Sequence, residues 1–401
     1  MPRTENGGLL GSVNYSSQNY AAGVWTSKAQ YLANLRNLWP RSGNIFLAVT
    51  HSTTPFMTVY PFSSLGYGTK YSDPATLPPN TGNRISFSPD GKSIAVASST
   101  TSPYYAAYPF SPLSGIGTRY SDPVTVPTGQ GNDVTFNPTS NTIAVAHSTS
   151  PFVSVYPFTT GTGGGFGTKY SDPATALPGN MWAVRFHPNG NYIAAGSSAS
   201  PYVVVYNWSS GWGTRLASHA SNYTSSINIM YGIKWHPSGN FLISAWNSTG
   251  TLNTVNIDYT YEFIPGTGFG TAAYTTLGKT NGLNAAGGGG SDANDADVSP
   301  NGNDVAFALQ SPSTGPFFRV FPFSISTGFG NAYADPATYT SAAHNGVGFH
   351  PDGTFLAFAH TTSPFISTFN FTTGVGVGTR LSTTGVTLPT GTGNGIGWVK
   401  V

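Results

Sequence analysis

The chain has 401 residues, of which 7% are charged and 14% aromatic, with a formal net charge of +2 and no cysteine. Disulfide and thiolate chemistry are excluded by the last fact, and so small a net charge does not steer a protein toward polyanions such as nucleic acid. Sparse charge combined with abundant aromatics argues against disorder and for a surface built from Ser, Thr, Asn, Gly and Tyr.

The first residues, MPRTENGGLLGS, contain no apolar stretch of the signal-peptide kind, and nowhere do 18 apolar residues run together. Neither a cleaved signal nor a membrane span is therefore expected. Residues 1–39 read as a separate appendage. Thr26 is placed to cap a helix over 27–38, in which Trp25, Leu32 and Trp39 fall seven apart with Tyr31, Leu35 and Leu38 beside them. That spacing gives one apolar stripe, which needs a partner surface. The stripe either packs on the body of this chain or docks on another subunit. In the second case Trp25, Tyr31, Leu32, Leu35 and Trp39 are the docking residues.

From residue 40 onward one phrase recurs. FSPDGKSIAVASSTTSPYYAAYPF begins at Phe87, FNPTSNTIAVAHSTSPFVSVYPF at Phe136 and FHPDGTFLAFAHTTSPFISTFNF at Phe349, with looser copies at Phe186, Trp235 and Val298. The proline opening each copy stands at 40, 89, 138, 188, 237, 300 and 351, so the intervals are 49, 49, 50, 49, 63 and 51 residues. Each unit holds four short runs rich in Val, Ile, Tyr, Phe and Thr and bounded by turn residues. In the third unit these are 133–136, 142–146, 152–158 and 167–170. Runs of this kind are strands, and four antiparallel strands per unit of about 40–50 residues build a propeller blade.

The ends of the chain complete the count. The first unit, opening at Trp39-Pro40, lacks its first strand, while Gly393-Asn394-Gly395-Ile396-Gly397-Trp398 near the C-terminus aligns with Gly82-Asn83-Arg84-Ile85-Ser86-Phe87. The last strand is expected to complete the first blade and leave no open edge. The fold expected is all-β: a seven-bladed β-propeller over 40–401, closed by the C-terminal strand and preceded by the appendage. The 63-residue interval carries the one long insertion, Gly-rich around 287–290, on the rim of blade five or six.

Most chemistry-bearing residues recur from blade to blade. Asp73, Asp122, Asp172 and Asp335 share the phrase Ser/Ala-Asp-Pro, and Asp90 and Asp352 share Pro-Asp-Gly turns. His187, His236 and His350 precede the blade-opening proline, and His51, His147 and His360 end the second strand. Lys70, Arg119, Lys169, Arg215 and Arg380 share one outer position, spread around the circumference, so no nucleic-acid stripe is expected. Tyr67, Phe166, Trp212, Phe269 and Phe329 precede the last strand, where they should pack between blades. Recurrence of this kind signals structure. Leu277-Gly278-Lys279-Thr280 resembles the end of a phosphate loop but lacks the first glycine and the following helix. The one distinctive cluster is Asp292, Asn294, Asp295 and Asp297, with Asp304 beyond. Its oxygen ligands suit calcium, but the spacing is not that of an EF-hand and the segment aligns with a strand, so a polar strand is the preferred reading. No cofactor and no catalytic residue is assigned.

The blade phrase, with its Pro-Asp-Gly turn and Ile-Ala-Val-Ala strand, resembles WD-repeat propellers, although the Trp-Asp and Gly-His pairs are missing and Tyr60, Tyr156 and Tyr206 stand near the tryptophan position. The phrase Ala22-Gly23-Val24-Trp25-Thr26, then Gln30-Tyr31 and Trp39-Pro40, resembles a short motif of tailed-bacteriophage structural proteins. That resemblance implies a virion component, assembled in the host cytoplasm. Its partners would be other virion proteins and host surface glycans, with neither nucleic acid nor membrane. The expectation is thus a non-enzymatic virion structural protein. The alternatives are a free carbohydrate-binding propeller and a propeller-based hydrolase or lyase.

Overall fold

The second strand of each repeat dictates the architecture. Ser93–Ser98, Thr142–His147 and Phe355–His360 are buried at every position. Side chains alternate between the two faces of a strand, so sheets must cover both faces. The computed structural model, which describes residues 16–17, 20–21, 44–217, 227–248, 260–273, 293–310 and 316–401, meets that demand with seven four-stranded antiparallel sheets standing side by side around an axis. Residues 16–17 and 20–21 form a separate small pairing. The helix expected over 27–38, the docking residues Trp25, Tyr31, Leu32, Leu35 and Trp39, and the Gly-rich insertion all lie outside the described residues.

Each blade runs from its inner to its outer strand in sequence order. Blade two is Gly82–Phe87, Ser93–Ser98, Tyr105–Ser111 and Gly115–Ile116. The inner strands of blades three to seven are Met181–Phe186 for blade four, Ile227–Trp235 for five, Ala293–Val298 for six and His344–Phe349 for seven, with Gly131–Phe136 in blade three. Blade one is built from both ends of the described chain. Gly393–Lys400 pairs with Ile45–His51 from Ile45↔Lys400 to His51↔Gly393. Asn44 and Val401 clasp each other through two backbone hydrogen bonds of 2.9 Å. The expected closure is present.

The core lies between blades. Phe46, Met57 and Val59 of blade one pack against Ile85, Val96 and Tyr108 of blade two, and the same layer recurs around the ring. Each buried large side chain contributes about 1.5–3 kcal/mol. The glycine-flanked aromatics join in as expected: Phe166 meets Tyr105 of the preceding blade at 5.0 Å between ring centres, and the Tyr67 hydroxyl lies 2.6 Å from Thr368 Oγ1 of blade seven.

The outer strand differs from expectation. In blade three it is Gly165–Phe166, not 167–170. The reason is Pro157 on the third strand, which accepts from the Gly167 N–H at 2.8 Å but has no N–H to return. The ladder stops there, and one bond from Tyr170 N–H to the Val155 carbonyl holds the chain beyond.

Polar latches complete the blade contacts. The hydroxyls of Tyr60, Tyr108, Tyr156 and Tyr206 donate to the carbonyls of Thr387, Thr76, Thr125 and Thr175 at 2.7–2.9 Å. Nε2 of His187 and of His236 lies 2.9 Å from the turn carbonyls of Gly239 and Gly302 in the following blades. His51, His147 and His360 are fully buried and reach a hydroxyl on the adjacent strand, Thr58, Ser154 and Ser367 respectively. The outer Lys/Arg–Asp repeats are ion pairs, among them Arg119–Asp122 at 2.6 Å and Lys70–Asp73.

Candidate functional site: an axial cup

Every inner strand begins with an irregularity. In every blade the pairing skips a residue on the inner strand, Asn83, Asn132, Trp182, Tyr231, Asn294, Asn345 and Asn394 in turn, and blade five skips a second between Ile227 and Ile229. A bulged residue leaves the ladder and turns its side chain elsewhere. Here all seven turn to the axis and, with Arg84, Gln130 and Gln310, line a cup of about 290 Å³.

Five of the seven are asparagines, and each carries its blade to the next. The side-chain amide N–H of Asn83 donates to the Gly131 carbonyl at 2.7 Å and that of Asn132 to Met181 at 2.7 Å. Asn294, Asn345 and Asn394 donate likewise to His344, Gly393 and Gly82 at 2.9–3.0 Å. Blades four and five break this belt with Trp182 and Tyr231, whose rings meet edge to face at 4.9 Å. The cup thus has an amide arc and an aromatic wall.

Arg84 forms the floor. Its guanidinium donates to the Asn394 carbonyl at 2.8 Å and to the Asn294 carbonyl at 3.0 Å, crossing the axis from blade two to blade six. Below it lies a second chamber of about 260 Å³, lined among others by Arg84, Arg185, Lys234, Asp295 and Asp297. Asp133, buried beside it, pairs with Arg185 and accepts the Val184 N–H at 2.9 Å. Lys234 pairs with Asp297 at 2.7 Å. Asp295 is held by the N–H groups of Ala296 and Val347. Burial pushes the Asp295 carboxyl above the ordinary carboxylate range, against the attraction of Arg84 and Arg185, and Asp133 pushes the same way.

Of the residues considered for calcium, Asp292 lies outside the described residues. The others are committed to the neighbouring blade: Asn294 to His344, Asp295 to Val347, and Asp297 to the Phe349 N–H at 2.7 Å. Asp304 accepts the hydroxyls of Tyr333 and Thr373, both at 2.7 Å. They act as a polar strand that ties blades six and seven. Sequence reasoning missed Arg84, Asp133, Arg185, Lys234, Trp182 and Tyr231. The available signal was that the repeats disagree at these positions while agreeing almost everywhere else.

Comparison with known proteins supports the fold. A model of the WD domain, G-beta repeat, matches residues 172–207. One blade carries the WD pattern. No curated protein matches the chain. Among solved structures, a putative 6-phosphogluconolactonase from Bacteroides fragilis is 15% identical, covering 89% of this chain and 98% of its own with a TM-score of 0.62. The periplasmic gluconolactonase of Pseudomonas aeruginosa is 14% identical over 89% and 99%, with a TM-score of 0.64. A protein from Lactobacillus plantarum is 11% identical over 89% and 100%, at 0.63. At such identities the likeness is one of fold.

Two expectations are corrected by these findings. The propellers that share this architecture from end to end include proteins named as lactonases, which overturns the reading of a non-enzymatic virion structural protein and the exclusion of catalysis. The physical reason lies on the axis. Recurrence marks structural positions along most of each blade, and the one segment that stands out in the sequence is 292–304. A ring converges its strands, so single residues from five blades assemble a constellation that no stretch of sequence contains.

Proposed function

We propose that the chain is a hydrolase of small sugar lactones, with the axial cup as its substrate site. The observation that carries this reading is the cup itself: amides, one guanidinium and an aromatic wall converging on a space sized for a single small ring. Amides exchange hydrogen bonds with hydroxyls in either direction, aromatic faces suit the apolar face of a sugar ring, and such a mixture of few polar groups and aromatic walls is that of small-molecule sites. The names of the propellers similar to this one, a gluconolactonase among them, support the same class.

In lactone hydrolysis water adds to the carbonyl carbon, the ring C–O bond breaks, and a hydroxy acid forms. Arg84 is the one cation lining the cup among the described residues, placed to stabilise the oxygen on which negative charge develops. Asp295, in the chamber that shares Arg84, has its carboxyl raised above the ordinary carboxylate range by burial. The test is proton release from a panel of aldonolactones, read against spontaneous hydrolysis. Acceleration that disappears in Arg84→Met supports the reading. Rates equal to those of buffer for every lactone would overturn it.

A further inference from the structure

The amide arc is not uniformly satisfied. From blade six to blade one the side chains relay to one another, Asn294 to Asn345 Oδ1 at 3.3 Å and Asn345 to Asn394 Oδ1 at 3.4 Å. Around blades three and four the relay fails. Asn132, only 5% exposed, spends its amide hydrogens on Asn180 Oδ1 and the Met181 carbonyl. Its own Oδ1 has no partner among the described residues, and neither has Nε1 of Trp182, the residue that follows Met181. One orphan acceptor and one orphan donor, on adjacent blades and at equivalent bulged positions, belong to the same cup wall.

A buried polar atom without a partner is costly, and one in the wall of a ligand-sized cup is placed where a bound ligand can supply the partner. A carboxylate cannot serve both, because it only accepts, and an ammonium cannot, because it only donates. A hydroxyl does both. We propose that Asn132 and Trp182 form a hydroxyl-recognising subsite of the cup, in which one ring hydroxyl of a sugar-type ligand donates to Asn132 Oδ1 and accepts from Trp182 Nε1–H. Both atoms are shielded in the wall, so binding requires the Trp182 indole and the Asn132 amide to shift toward the cup, with the edge-to-face contact of Trp182 and Tyr231 limiting the turn of the indole. The two residues thereby set specificity for a hydroxylated ring over its deoxy counterpart. This assignment rests on the cup being the ligand site.

The test uses the full chain and a non-hydrolysable probe, D-glucono-1,5-lactam, with its monodeoxy analogues, followed by calorimetry. For the native protein one monodeoxy analogue should bind about thirtyfold more weakly than the parent, the amount two neutral hydrogen bonds contribute. In Trp182→Phe, which keeps a ring and deletes the N–H, the bond to Asn132 Oδ1 remains and the difference between parent and that analogue should shrink to about fivefold, the share of one hydrogen bond. This reduced discrimination is a readout that a merely weakened fold does not produce. Discrimination that persists undiminished in Trp182→Phe, or that is lacking in the native protein although the lactam binds, would overturn the subsite while leaving the cup as the site. Lactam binding by neither native protein nor variant would overturn the cup reading and the subsite with it.

Discussion

The Arg84 guanidinium and the Asn294 carbonyl, 210 residues apart, meet at 3.0 Å across the axis. They belong to blades two and six, which are not neighbours in the ring, so one side chain ties strands that no sheet pairing joins. Hydrogen bonds from a charged donor contribute about 1.5–3 kcal/mol each. Arg84→Met should therefore lower stability by about 3 kcal/mol, measured from urea midpoints at unchanged slope. Arg84→Lys keeps the charge but reaches fewer carbonyls, and should recover less than half of that loss. Equal stability of the three proteins would show that the crossbar is ornamental.

How much of this was legible beforehand follows from where the repeats agree. The inner faces of Thr142–His147 and Phe355–His360 carry the same packing burden in every blade, so their residues recur and the blade is readable from any one copy. The axis imposes the opposite condition. Arg84, Asp133, Ala183, Gly232, Asp295, Gly346 and Gly395 occupy one position after the bulge, and a bulky charge in one blade demands a glycine in another. Gly232 shows this: a Cβ on it would sit 3.0 Å from Oδ1 of Asp295 in the next blade. Variation at an otherwise regular position was the signature of the site. It is invisible until the ring is closed in space.

Acid should destabilise the protein earlier than its few carboxylates suggest. His51, His147, His350 and His360 are each pushed down to about 4 from the ordinary 6.5, chiefly by burial. A histidine whose folded value lies below its unfolded value supports the fold in its neutral form. That support is complete above about pH 6.5 and is lost as the pH falls through the folded value, by about 1.4 kcal/mol per pH unit for each residue in the window between. Urea midpoints should fall steeply from pH 6.5 to 4.5. In His147→Asn the slope should shrink by one proton, even though the starting stability is lower because the bond to Ser154 is altered.

The turn glycines that receive the histidine latches have no room to vary. Gly239 lies at φ +77°, and a Cβ there would stand 2.4 Å from the His187 ring. Gly239→Ala should cost about 2 kcal/mol or more, from left-handed strain and the displaced latch together. In His187→Ala, where the clash is relieved, the same glycine substitution should cost only about 1 kcal/mol. Thermal melts of the four proteins form the cycle that separates the two terms.

Closure of the ring depends on the strand that arrives last. Gly393–Lys400 supplies the inner strand of blade one and pairs along its length with Ile45–His51. It also brings Val399 into the layer between blades one and two, and sets Trp398 edge to face with Phe62 at 4.9 Å. Removing residues 392–401 uncovers the edge of Ile45–His51, a fully buried apolar strand, and such an edge is a template for pairing with other chains. The shortened protein should lose its cooperative melt and scatter light at micromolar concentration instead of fraying at one end. A cooperative melt at the native temperature would mean that the other blades hold the ring without this strand. The interblade layers would then contribute more, and the closing ladder less, than the pairing implies.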